Sequence, residues 1–191
     1  MEDRSGLNPV IAVFIAIVLV GAVVGGYIWA TWVGPAHAGQ VVSMTVYPIH
    51  QELSTGAELG GMDGGANVYD EVIVLANVKI RSTTKLPLFL HDMWGDLTLH
   101  NGTTQQDLAA DDTDFGKVFV AYPKLVAAEK SPVERNITLQ PGQQIEGQMI
   151  FHFPVSQQDW DERQSFTVTV EFLHQKPLVL PTKTAEVTTV R

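Results

Sequence analysis

YDEVIVLANVKIR, running from Tyr69 to Arg81, is the stretch that decides the fold. Val72, Val74, Ala76, Val78 and Ile80 recur at every second position, so an extended chain puts all five on one face. Glu71, Asn77, Lys79 and Arg81 fall on the other face, together with Ile73 and Leu75. That is the pattern of a strand laid on a core. Downstream, Ser82-Thr83-Thr84-Lys85 turns the chain, Leu86 to Leu90 returns it, and Trp94 to His100 forms another strand. Asn101-Gly102 is a two-residue hairpin signal. Upstream, VVSMTVY from Val41 reads as a first strand, with Val42, Met44 and Val46 sharing a face. Between these strands, Ser54 to Gly65 is a glycine-rich surface loop, without the Lys-Ser/Thr ending that a phosphate-cradling loop requires.

The period changes after Asp111. Phe115, Val118, Phe119 and Tyr122 recur at helical spacing, with Asp111 or Asp112 as N-cap and Pro123 as the stop. A short helix laid across the sheets is expected there. Strands resume at Val133–Leu139, turn at Pro141-Gly142, and continue in IEGQMIFHFP. In that segment Ile145, Met149, Phe151 and Phe153 alternate with Glu146, Gln148 and His152. Ser156 to Glu162 suits a helical turn. FTVTVEFLH then places Phe166, Val168, Val170 and Phe172 inward, and Leu178–Leu180 and Glu186–Val190 read as terminal strands. About seven short strands with turn signals between them argue a mainly β fold, an antiparallel β-sandwich with one short inserted helix.

The V-x-V-x-A-N-V-K-I strand is followed by Leu139, Pro141, Gly142 and Gly147 in L-x-P-G-x-x-x-x-G spacing. After these comes M-I-F-x-F-P-V, Met149 to Val155. This order resembles the immunoglobulin-like domains of unknown function in bacterial membrane-anchored and lipoprotein sequences. It covers about Val41 to His174, leaving the helix near Phe115 as an insertion. The resemblance implies an immunoglobulin-like fold and carries no catalytic residues over.

Before all this stands VIAVFIAIVLVGAVVGGYIWATWV, Val10 to Val33, with no charged residue. As a helix rising about 1.5 Å per residue it is long enough to cross a hydrocarbon core of about 30 Å. Pro9 suits a first helical turn, and Tyr27, Trp29 and Trp32 collect at the far end, where aromatic rings favour the interface. Arg4 precedes the span and no Lys or Arg follows it until Lys79, which puts the N-terminus inside and the domain outside. The expected organisation is a cytoplasmic N-terminus (1–9), a transmembrane helix (10–33), a linker (34–40) and an extracytoplasmic, periplasmic domain (41–191). Cleavage as a signal peptide at Ala36-His37-Ala38 is the rival reading, disfavoured by the length of the apolar run. Gly21, Gly25 and Gly26 form small-residue ridges on which a second copy of the helix could pack, giving a homodimer.

The 191-residue chain carries a formal net charge of −9, and no run of it clusters Lys or Arg, so neither nucleic acid nor anionic lipid is an expected partner. It has no cysteine. That excludes disulfides, thiol catalysis, Cys-ligated zinc and a lipidated Cys anchor. Asp111, Asp112 and Asp114 lack the spacing of a calcium loop and suit helix capping. No nucleophile elbow or zinc-protease motif is present. Asn101-Gly-Thr103 and Asn136-Ile-Thr138 match the glycosylation triplet and serve equally as turn and strand residues. The domain's histidines are His50, His91, His100, His152 and His174. His91, Met93 and His152 are the set from which a copper site could be assembled, since imidazole and thioether suit Cu(I). The leading expectation is a non-enzymatic binding or structural module with no cofactor, anchored in the membrane and held against another membrane or envelope protein. The alternative is a periplasmic copper-handling domain serving a respiratory enzyme.

Overall fold

The computed structural model describes residues 9–31, 34–53 and 67–190. The chain divides into two compact units, Met1–Gly34 and Pro35–Arg191. The first holds one helix, α1, Pro9–Thr31, apolar on every side and long enough to cross a membrane, a property it shares with signal sequences. Trp32, the residues before Pro9 and the glycine-rich loop 54–65 lie outside the described residues.

The second unit is mainly β and contains two sheets. Its strands are β1 His37–Leu53, β2 Asn67–Ser82, β3 Leu88–Thr98, β4 Thr104–Leu108, β5 Thr138–Leu139, β6 Gln144–Phe153, β7 Ser165–Phe172, β8 Leu178–Pro181 and β9 Glu186–Thr189. One sheet runs β6-β2-β1-β9; the other runs β4-β3-β7-β8, with β5 also on β3. The alternate residues of Tyr69–Arg81 behave as their period dictates: Val72, Val74, Ala76, Val78 and Ile80 are all buried. They share one core with Leu90, Met93 and Leu97 of β3, Met149, Phe151 and Phe153 of β6, and Phe166, Val168 and Val170 of β7. Gly95 lets the sheets approach here, since a Cβ on it would lie 2.9 Å from the Phe151 ring.

Several expectations need correcting. The fold is not purely antiparallel, because β9 pairs parallel to β1, Ser43 opposite Glu186. The reason is directional. β8 passes beside Gly39 of β1, and the chain then runs on in the same sense and changes sheet instead of reversing. The span 34–40 is not a linker throughout, since β1 begins at His37 opposite Ser82 of β2. Val42 is 49% exposed because a bulge between Val41 and Ser43 puts Val41, Met44 and Val46 inward instead. The two strands expected across 86–100 are one, β3, whose bulge at Leu90/Asp92 breaks the alternation around His91. The strand expected at Val133–Leu139 shrinks to β5, because Asn136 adopts a left-handed turn conformation at φ 56°.

The inserted helix is present as α2, Asp112–Ala121, and Asp111 caps it by accepting from the Asp114 backbone N–H at 2.9 Å. It is not alone: a 3-10 helix, Pro123–Ala128, follows, and α3, Gln157–Asp161, forms the helical turn expected after Ser156. Phe115, Phe119 and Leu125 of the insertion pack on Ile49, Ile73, Leu75 and Ile150, making a second core on the outer face of the four-stranded sheet. That accounts for Ile73 and Leu75, apolar residues on the face opposite the main core.

Candidate functional site

The outer face of the four-stranded sheet brings several polar side chains and two tyrosines together beside the insertion. Register sets the row. Tyr47 of β1 lies opposite Ile73 of β2, and Ile73 lies opposite His152 of β6. The His152 ring reaches diagonally to Glu71, Nε2 to Oε2 3.0 Å. Its backbone N–H donates to the Asp107 carboxylate at 2.7 Å. Tyr122, between α2 and the 3-10 helix, meets Tyr47 edge to face with centroids 5.8 Å apart, and the Lys124 ammonium stands 5.9 Å from the Tyr47 ring centre. Burial pushes the Tyr122 hydroxyl above its ordinary pKa, and the Glu71 charge adds to this.

Asp107 belongs to an edge seal. Along the free side of β6, the Gln148 N–H donates to Ser131 O, the Ile150 carbonyl accepts from the Ala110 N–H, and the His152 N–H donates to Asp107. An edge strand is thereby closed to intermolecular pairing. Burial raises the Asp107 pKa, and the hydrogen bond from the His152 N–H opposes that shift without cancelling it. The folded state therefore holds this proton more tightly than the unfolded chain does. Its stabilising contribution is present at low pH and is lost as pH rises through the folded pKa. Asp107→Asn keeps an acceptor for the His152 N–H and cannot titrate. The stability advantage of the natural chain over this variant, followed by urea unfolding, is expected to shrink as pH rises from the acid range toward neutrality. An advantage that grows with pH would mean that the hydrogen bond outweighs the burial.

A second acid–histidine group sits where β1 meets β2. His50 Nδ1 lies 2.6 Å from Asp70 Oδ1, and Nε2 lies 3.5 Å from Glu52 Oε1. Hydrogen bonding to Asp70, then to Glu52, raises the His50 pKa. In the segment joining β6 to β7, Arg163 stacks on Trp160 of α3 with its guanidinium 4.1 Å from the ring centre, and burial lowers its pKa.

His91, Met93 and His152 are not brought together. Met93 is buried between the sheets, His91 is exposed on β3 with Nε2 3.7 Å from Asp92, and His152 stands on the outer face of the other sheet. Among the described residues, no group of three or more His, Asp or Glu side chains is placed to hold a metal ion. Gly21, Gly25 and Gly26 lie on α1 with nothing within 4 Å of the space their Cβ atoms would fill. Tyr47, Glu71, Asp107 and Tyr122 were not legible as a group, because register and the insertion assemble them from four separate segments.

The insertion turns apolar surface outward as well as inward. Val120 is 82% exposed and Val126 51%, with Pro123 and Lys124 exposed between them.

No family model matches this chain, and no curated protein matches it. Solved structures similar to it include the yjhA protein of Bacillus subtilis, 8% identical, TM-score 0.39, covering 78% of this chain and 94% of that one. A conserved hypothetical protein of Bacillus anthracis is 13% identical, TM-score 0.30, covering 78% and 99%. A Northeast Structural Genomics Consortium target, SoR45, is 12% identical, TM-score 0.33, covering 78% and 89%. With every TM-score below 0.5, this likeness carries no weight for fold or function.

Proposed function

We propose that this chain is a single-pass membrane protein that displays an immunoglobulin-like domain outside the cytoplasmic membrane. The domain acts as a non-enzymatic interaction module, an accessory subunit of an envelope or membrane complex. The observation that carries this reading is the insertion, which seals the outer face of one sheet and presents Val120, Pro123 and Val126 to solvent. The strand order supports the immunoglobulin-like assignment. The order β6-β2-β1 is the one that strands E, B and A take in such a fold, and β4-β3-β7-β8 is the order C′, C, F and G, with β9 an additional parallel edge. The apolar α1 supports the anchor, and Arg4 supports an inside N-terminus.

Mild crosslinking in native membranes, followed by purification, tests the reading. The natural chain is expected to carry a stoichiometric membrane or envelope protein, and Val120→Asp with Val126→Asp is expected to lose it while the chain stays folded. A partnerless natural chain, or a partner indifferent to both aspartates, would sink the proposal.

A further inference from the structure

The fold polarises the charge of this acidic domain along its strands. Four segments meet at the end where the chain leaves α1: 34–40, 81–87, 140–144 and 173–177. Hydrogen bonds hold them together. The Thr83 N–H donates to Ala36 O at 3.0 Å, the Thr83 hydroxyl donates to Pro35 O, and the Ser82 N–H donates to Gln143 O at 2.9 Å. The His37 Nε2–H donates to Lys176 O at 2.7 Å. These four segments contain no Asp or Glu and supply Arg81, Lys85 and Lys176; the exposed Glu171 of β7 is the acid lying beside the last of them. The opposite end carries Glu52, Asp70, Asp159, Asp161 and Glu162 against Arg163 and Lys183. No single run of sequence shows a basic cluster; the hairpin ends assemble one.

Two apolar side chains belong to the same basic end. Leu86, beside Lys85, is 70% exposed, and Leu173, three residues before Lys176, is 43% exposed. Exposed leucines next to lysines are the composition of a membrane-interface contact, the leucine entering the acyl boundary while the ammonium stays with headgroup phosphates. The same end is joined to α1 by a short stretch of chain. From Thr31 to Pro35 the chain has four steps, about 14 Å fully extended.

We infer that the Lys85-Leu86 and Leu173-Lys176 loops are a second membrane contact, seating the domain on anionic phospholipid headgroups of the bilayer that its helix spans. This rests on the anchor reading above. Such seating fixes which way the rest of the domain faces.

The chain has no cysteine, so single spin labels can be placed without background. Full-length Leu86→Cys, Leu173→Cys and, as a far-end reference, Lys183→Cys would each be nitroxide-labelled and reconstituted into vesicles of phosphatidylcholine with or without phosphatidylglycerol. Collision with oxygen relative to a water-soluble nickel relaxant is expected to be several-fold higher at 86 and 173 than at 183, and highest with phosphatidylglycerol. Lys85→Glu with Lys176→Glu is expected to reduce that preference, as each cation at an anionic surface is worth roughly five-fold in binding. If the chain floats with the vesicles but 86 and 173 are as water-accessible as 183, the contact is refuted and the anchor survives. Lipid contact indifferent to both phosphatidylglycerol and the charge reversal would refute the headgroup recognition. A chain that fails to float refutes the anchor reading, and this inference with it.

Discussion

Phe151→Ala is expected to cost about 3–5 kcal/mol, a large share of the roughly 5–15 kcal/mol available to a domain of this size. Phe151 is fully buried, lies opposite Val74 of β2, and meets Phe166 edge to face with centroids 5.9 Å apart. Its other neighbour is Gly95, which has no side chain that could swing into the space left behind. The cavity therefore stays open, which puts the loss in the upper part of the range. At about 2–4 °C per kcal/mol for a chain of this length, the melting temperature should fall by roughly 10 °C. His152→Ala, one residue along, gives the contrast. Its ring is half exposed and its pairing with Glu71 is a surface contact, worth at most about 1 kcal/mol. The bond from its backbone N–H to Asp107 does not depend on the ring and survives the substitution. A harmless Phe151→Ala beside a damaging His152→Ala would mean that β6 is out of register by one residue.

The elements legible in the sequence are those where one physical rule acts alone. Tyr69–Arg81 and Phe166–Phe172 alternate without interruption, so their inward residues could be named correctly. Phe115 and Phe119 repeat at helical spacing behind an aspartate cap, and α2 is where that pattern puts it. The misreadings come from places where two rules meet. Bulges at Val42 and His91 shift the alternation by one residue, and a bulge leaves no composition signature as a glycine turn does. β9 was legible as a strand, but its partner and direction depend on a sheet change between Pro181 and Glu186 that only long-range packing decides. The candidate surface was the least visible. Its polar residues look like ordinary solvent-facing positions until the insertion lies over them, and nothing local says where the insertion will lie.

Asn77 and Gln148 show this most sharply, and they carry the second large effect. Alternation assigns both to the polar face, and so they are, opposite one another in the β2–β6 register. Yet Gln148 is only 1% exposed, because the chain leaving the 3-10 helix crosses over it. The Gln148 Nε2 donates to Ala128 O at 2.9 Å and to Asn77 Oδ1 at 3.2 Å, while its Oε1 accepts from the Lys130 N–H at 3.3 Å. Asn77 in turn donates to the Ser43 hydroxyl at 2.9 Å. One amide thus supplies partners for two main-chain groups that the crossing segment would otherwise bury unpaired. Gln148→Ala removes all three bonds, and each buried group left unsatisfied costs about 1–3 kcal/mol, with water recovering part of it. A net loss of about 2–4 kcal/mol is expected, with faster amide exchange at Lys130 and little change in the core around Phe151. The main-chain bonds of residue 148 to Ser131 and Val133 remain, so the segment loosens without detaching. Gln148→Glu should be worse than Gln148→Ala at neutral pH, because a carboxylate there cannot donate to Ala128 O or Asn77 and must itself be buried. Urea unfolding and hydrogen exchange on the two variants decide it: a loss below about 1 kcal/mol with unchanged Lys130 exchange would show that the crossing segment is held by the sheet alone.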